Sequence, residues 1–113
     1  MTCVFCEIVA GRRPARKVFE DEEVFAFHDI HPQAPVHVLV VPKRHIESLI
    51  AAAPEDEALL GRLVRAARDL AGKLNVAKRG FRLVFNCGEH AGYSVFHIHL
   101  HLLGGRILGW PPG

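Results

Sequence analysis

The chain has little of several things, and each shortage narrows what it can be. No apolar run approaches the roughly 20 residues that a bilayer-spanning helix needs, so no membrane partner is expected. No basic start leads into a continuous apolar stretch, so no signal peptide is read and a cytoplasmic location is expected. Three cysteines, an odd number, argue against a disulfide framework and fit a reducing compartment. The formal net charge of +2 is too small to argue for nucleic acid as a partner. Repeats, low-complexity tracts and linkers are absent.

What remains is a chain of 113 residues, half of them hydrophobic and 23% charged. That is ordinary for a globular domain and long enough for a hydrophobic core without disulfides. One domain spanning 1–113 is expected. Eight histidines are the compositional oddity.

The pattern of elements predicts an α+β fold. "FCEIVAGRRP" reads as a short helix ended by Gly11 and closed off by Pro14. "RKVFE", Asp21-Glu22 and "EVFAFHDI" read as a hairpin. "PVHVLVVPK" is a third strand that ends at Pro42, with Val36, Val38 and Val40 on one face and His37, Leu39 and Val41 on the other. "APEDEALLGRLVRAARDLAGKLN" is the long helix. Pro54 and the acidic Glu55, Asp56 and Glu57 suit its first turn. Its stripe of Leu59, Leu60, Leu63, Val64, Ala67, Leu70, Ala71 and Leu74 is read as core. "FRLVFNC" is a fourth strand, "GEHAGYS" a loop and "VFHIHLHLL" a fifth strand. Short turns and one crossing helix imply a five-stranded, mainly antiparallel sheet with one long and one short helix.

"FHIHLHLLGG", residues 96–105, carries the chemistry. On a strand His97, His99 and His101 share one face and Ile98, Leu100 and Leu102 the other. Neighbouring histidines would stand roughly 6.6 Å apart and the outer pair about 13 Å apart, from the strand rise. That spread disfavours one metal held by all three and suits an extended anion such as a phosphate chain. Imidazole can serve there as nucleophile, proton donor or cation.

"HIHLHLL" matches the histidine triad pattern, and the resemblance covers almost the whole chain. "FEDEEVFAFHDIHPQAPVHVLVVPKRHI" resembles the front half of a histidine triad nucleotide-binding protein, and "HLLGGRILGWPPG" its C-terminal ending, here the tail 104–113. The resemblance implies hydrolysis or transfer of a nucleotidyl group through a covalent nucleotidyl-histidine. His99 would be the nucleophile, His101 the donor to phosphate oxygens or leaving group, and His97 an orienting residue, with His37 completing the cluster. Asp29 would accept from the ribose hydroxyls, whose vicinal pair suits a carboxylate. Asn86, Ser94 and Gly92 would contact phosphate and leaving group, and Ile30 and Phe5 would wall the base. Glutamine is usual in this branch where Tyr93 stands, and a polar residue or histidine is frequent at the place of Gly109; both departures lie towards the leaving group.

"CVFC" gives Cys3 and Cys6 the spacing of half a zinc site. Some bacterial members of the family complete it with the histidines matching His45 and His97, which implies a closed structural zinc site. No organic cofactor is expected, and Cys87 receives no role. The activity implied is a purine-nucleoside phosphoramidase of the AMP-amide type. The alternatives are a dinucleoside polyphosphate hydrolase, whose glutamine two residues before the triad is replaced by Val95, and a nucleotide-binding scaffold with vestigial catalysis. Edge strands and an apolar helix stripe that a chain of this size covers poorly call for a partner. The family answer is a two-fold homodimer with a ten-stranded sheet, in which Trp110 edges the partner's site.

Overall fold

A computed structural model describes residues 3–113. Helix α1 (Val4–Val9) begins on Cys3, whose Sγ accepts the backbone N–H of Cys6, and the chain leaves it through Gly11 at φ +78°. Strands β1 (Lys17–Glu20) and β2 (Val24–His28) form the expected hairpin. Asp21 builds the turn, its Oδ1 accepting the N–H groups of Glu23 and Val24 at 2.9 and 2.8 Å. Strand β3 (Val36–Pro42) follows, then helix α2 (Glu57–Lys73), strand β4 (Phe81–Phe85) and strand β5 (Leu100–Gly104).

The sheet runs β1-β2-β3-β5-β4, and every neighbouring pair is antiparallel. Alternation sorts the two faces of the central strands. Val24, Ala26, Val38, Val40, Leu100 and Leu102 meet Leu63, Ala67, Leu70 and Ala71 of α2. On the opposite face Phe25, Phe27, Leu39 and Val41 meet Phe5 and Ile8 of α1. The short helix therefore sits on the face that carries His37. At the end of β5 a side chain has no room, because a Cβ on Gly104 would lie 2.7 Å from Val76 Cβ. Among the described residues no helix is long and apolar enough to cross a membrane.

The structure corrects four expectations. The fifth strand does not begin at Val95: residues 95–97 bend, and the ladder starts only at Leu100. The N–H of Ile98 goes instead to the Ile46 carbonyl at 2.7 Å, a loop partner outside the sheet. The long helix starts at Glu57, after a single 3₁₀ turn over Pro54–Asp56. Its buried stripe includes Ala66 rather than Val64, which is 42% exposed. Finally, β4 stops at Phe85, so Asn86 and Cys87 belong to the following loop.

Candidate active site

The bend at residues 95–97 divides the expected row of histidines. His97 turns towards the N-terminal cysteines, while His99 and His101 face a cleft. All three remain near one another, with the His99 and His101 ring centroids 5.0 Å apart. The row does not line a single groove; it joins two clusters.

In the first cluster one ligand atom from each of Cys3, Cys6, His45 and His97 lies within 4.8 Å of every other. His97 Nδ1 stands 3.4 Å from Cys3 Sγ, 3.5 Å from Cys6 Sγ and 3.2 Å from His45 Nδ1. His45 Nδ1 is 3.4 Å from Cys6 Sγ. The edges of a tetrahedron with metal bonds of about 2.0 Å to nitrogen and 2.3 Å to sulfur are roughly 3.3–3.8 Å. The donor set and its spacing therefore fit a four-coordinate cation. His97 Nε2 donates to the Pro42 carbonyl at 2.8 Å, which leaves the Nδ1 lone pair among the thiols. Burial, then the neighbouring Cys3, push the Cys6 thiol above its ordinary value. A cation at the centre favours both thiolates.

The second cluster lines a cleft of about 480 Å³ between α1, the β2–β3 connection and the loop after β4. Backbone partners settle its tautomers. His99 Nδ1 donates to the His97 carbonyl at 2.8 Å, so its Nε2 carries the free lone pair. The N–H of Gln33 donates to His37 Nδ1 at 3.0 Å, which keeps the His37 proton on Nε2. That N–H donates to His101 Nδ1 at 2.9 Å, leaving the His101 proton on Nε2. The three rings thus pair a bare nitrogen on His99 with an N–H on His101.

Burial lowers the pKa of His99 below the ordinary histidine value and keeps the ring neutral near pH 7. His101 is pushed down to about 4 by burial first, then by His99 and His37. His37 is also lowered by burial, with Asp29 opposing. Asp29 Oδ2 lies 3.4 Å from His37 Nε2, and its Oδ1 accepts the N–H of His31 at 2.8 Å. Asp29, His37 and His101 could also be read as a metal triad. The Gln33 amide argues otherwise, since a metal on His37 Nε2 would require the ring to lose its only proton.

The structure brings Asp29, Ile30, Asn86, Gly92 and Ser94 to the same cleft as His37, His99 and His101. Phe5 is there too, edge-on to His99 at 5.1 Å. Trp110 does not line it and is 82% exposed. Two contributors were not among the expected site residues. Gln33 acts through its backbone, and Tyr93, a lone aromatic in a glycine-bearing loop, stacks on His99.

Known proteins resemble the chain in sequence and in fold. The family profile described as "Scavenger mRNA decapping enzyme C-term binding" matches residues 2–107. An uncharacterized HIT-like protein of Synechocystis sp. is 50% identical over 110 residues, covering 97% of this chain and 96% of that protein. The crystal structure of a HIT family hydrolase from Legionella pneumophila superposes with a TM-score of 0.97 at 47% identity, covering 99% of this chain and 100% of that one. A histidine triad nucleotide-binding protein from Candida albicans superposes with a TM-score of 0.81 at 31% identity, over 97% and 83% of the two chains.

Proposed function

The chain belongs to the histidine triad family, and on that premise we propose that it hydrolyses purine nucleoside phosphoramidates through a covalent nucleotidyl-His99. The observation that carries this reading is the tautomer pattern: a bare Nε2 on His99 beside an N–H on His101, both at the wall of one cleft. The His99 lone pair forms a bond to phosphorus as the bond to the leaving nitrogen breaks. The His101 N–H steadies the phosphate oxygens, and the leaving nitrogen takes one proton from solvent as it departs. Water then attacks the same phosphorus, the bond to His99 breaks, and the water's proton returns to solvent. Asp29 takes the ribose hydroxyls, Ile30 and Phe5 wall the base, and Asn86, Ser94 and the backbone at Gly92 meet the phosphate.

Two further parts belong to the same reading. Zinc is the cation that suits Cys3, Cys6, His45 and His97, closing a structural site with no place for substrate. A second copy of the chain pairs along β4, an edge strand, to give a two-fold dimer with a ten-stranded sheet. The tail of each chain then brings Trp110 to the partner's cleft. Deleting residues 109–113 changes discrimination among leaving groups more than it changes dimerisation; turnover of a series of leaving groups by the truncated chain measures the first half, and sedimentation equilibrium the second.

The deciding experiment is single-turnover trapping with AMP-amide. A nucleotidyl adduct forms on the wild-type chain and is absent from His99→Ala. No adduct on the wild type, with stoichiometric nucleotide binding, returns the protein to a binding module. Faster turnover of a diadenosine polyphosphate than of AMP-amide replaces the phosphoramidate by a dinucleotide as substrate.

A further inference from the structure

Tyr93 is the chain's single tyrosine and is 8% exposed. The loop reaches it through Gly92, whose φ of +77° is left-handed backbone that suits glycine. Its O–H donates to the carbonyl of Glu47, which does not line the cleft. Its ring lies parallel to that of His99, with centroids 5.5 Å apart and planes 16° from each other. Phe96 packs against it in a T-shaped contact, with centroids 5.6 Å apart and planes 77° from each other. Such offset stacks are a preferred geometry of aromatic pairs.

A histidine ring needs such support. The torsion that turns imidazole about its bond to Cβ is broad and roughly two-fold. A half-turn exchanges Nε2 for a carbon and withdraws the lone pair from the cleft. His99 has one hydrogen bond against this rotation, from Nδ1 to the His97 carbonyl. Phe5 touches the ring edge-on, so the flat contact comes from Tyr93.

We propose that Tyr93 is a positioning residue for His99: its ring, anchored through the O–H to Glu47, blocks the imidazole from turning and holds Nε2 towards the cleft. The inference rests on the nucleophilic role assigned to His99 above. The phenol is not a proton donor in the reaction. Its hydrogen is committed to a carbonyl, and burial pushes its pKa up to about 12. The role therefore belongs to the ring, and the hydroxyl serves as its tether.

The test compares Tyr93→Leu, which keeps apolar volume without a flat face, with Tyr93→Phe, which keeps the face without the tether. Steady-state turnover of AMP-amide is measured beside ring ¹⁵N spectra of histidine-labelled protein. Tyr93→Leu lowers kcat by at least about 20-fold with KM within about threefold, the scale expected when a reacting group is misplaced. Its His99 resonances change from the single Nδ1–H pattern to a mixture. Tyr93→Phe retains at least about a third of kcat and the single pattern. Should Tyr93→Leu not fold, Tyr93→Met, also without a flat face, takes its place. Wild-type kcat in the leucine variant overturns the proposal, and so does a lost kcat with an unchanged His99 pattern. If the wild type does not turn over AMP-amide, the proposed function fails, yet the ring spectra still decide whether Tyr93 holds His99.

Discussion

The two histidine clusters lie on either side of one short segment and differ in what their nitrogens are left to do. In the cysteine cluster His97 gives its proton to Pro42 and turns a lone pair towards two thiols and a second imidazole. In the cleft cluster His99 gives its proton to the His97 carbonyl and turns a lone pair towards open space. One donor set is complete on four sides, and the other is open towards the cleft. His97 belongs to both, since its ring enters the first cluster while its carbonyl fixes the tautomer of His99, the proposed nucleophile of the second. Residue type does not separate the two rings here; the position of each relative to its backbone carbonyl decides which nitrogen keeps a lone pair and where that lone pair points.

The largest effect that could break this division falls on the open cluster. His99→Ala lowers turnover by at least about 10³-fold and leaves nucleotide affinity within about tenfold, because the ribose and phosphate contacts survive. Turnover near the wild-type level would remove His99 from the chemistry. The closed cluster answers differently. Purified without chelator, the chain carries about one zinc. Cys3→Ser with Cys6→Ser costs on the order of 3 kcal/mol and lowers the melting temperature by about 10 °C or more, since a structural site acts on folding. Nucleotide affinity falls less than stability. Metal analysis showing well under one zinc per chain in reducing buffer counts against the assignment.

How far the sequence foretold this differs between regions for physical reasons. Periodicity marked β3 and α2, because Val38 and Val40 alternate with Leu39 and Val41, and Leu63, Ala67 and Leu70 recur at helical spacing. Alternation misled at residues 95–99. The order His-Ile-His-Leu-His reads as a strand, yet the Ile98 N–H pairs with Ile46 and the chain bends. The positions of His99 and His101 in one cleft were legible from the motif. Their tautomers were not, since the His97 carbonyl and the Gln33 N–H act through backbone atoms that almost any residue could supply. Residues far apart in the chain meet at Cys3, Cys6, His45 and His97, and spacing alone proposed only the cysteine pair. Tyr93 drew notice only as a departure from the family pattern.

A smaller effect tests the proton between His37 and His101. The pKa of His101 is about 4 in the folded chain against 6.5 for an ordinary histidine. A lowered value means that the folded state binds fewer protons than the unfolded one. The stability tied to this ring is thus full above pH 6.5 and lost as pH falls towards 4. Allowing for partial exposure, the loss is about 2 kcal/mol. Denaturant midpoints at pH 7 and pH 4 show a fall that is smaller by about this amount in His101→Gln. An equal fall in both proteins would mean that His101 titrates normally and that the cleft is wetter than its geometry implies.

The smallest effect concerns the C-terminal tail, which the proposed dimer would cover. Arg82 donates to the Gly109 carbonyl at 2.8 Å and holds the base of the tail. Beyond it Trp110, the single tryptophan, is 82% exposed. An aromatic so placed is shielded only if another chain covers it. Arg82→Ala removes the tether at a cost below about 1 kcal/mol, the usual worth of a half-exposed hydrogen bond. At micromolar concentration, where the dimer is expected, iodide reaches Trp110 poorly in the wild type and more readily in Arg82→Ala. The melting temperature and sedimentation of the two proteins stay within error of each other. Equal and ready quenching in both would leave the tail without a partner surface, and the cleft would then be bounded by a single chain.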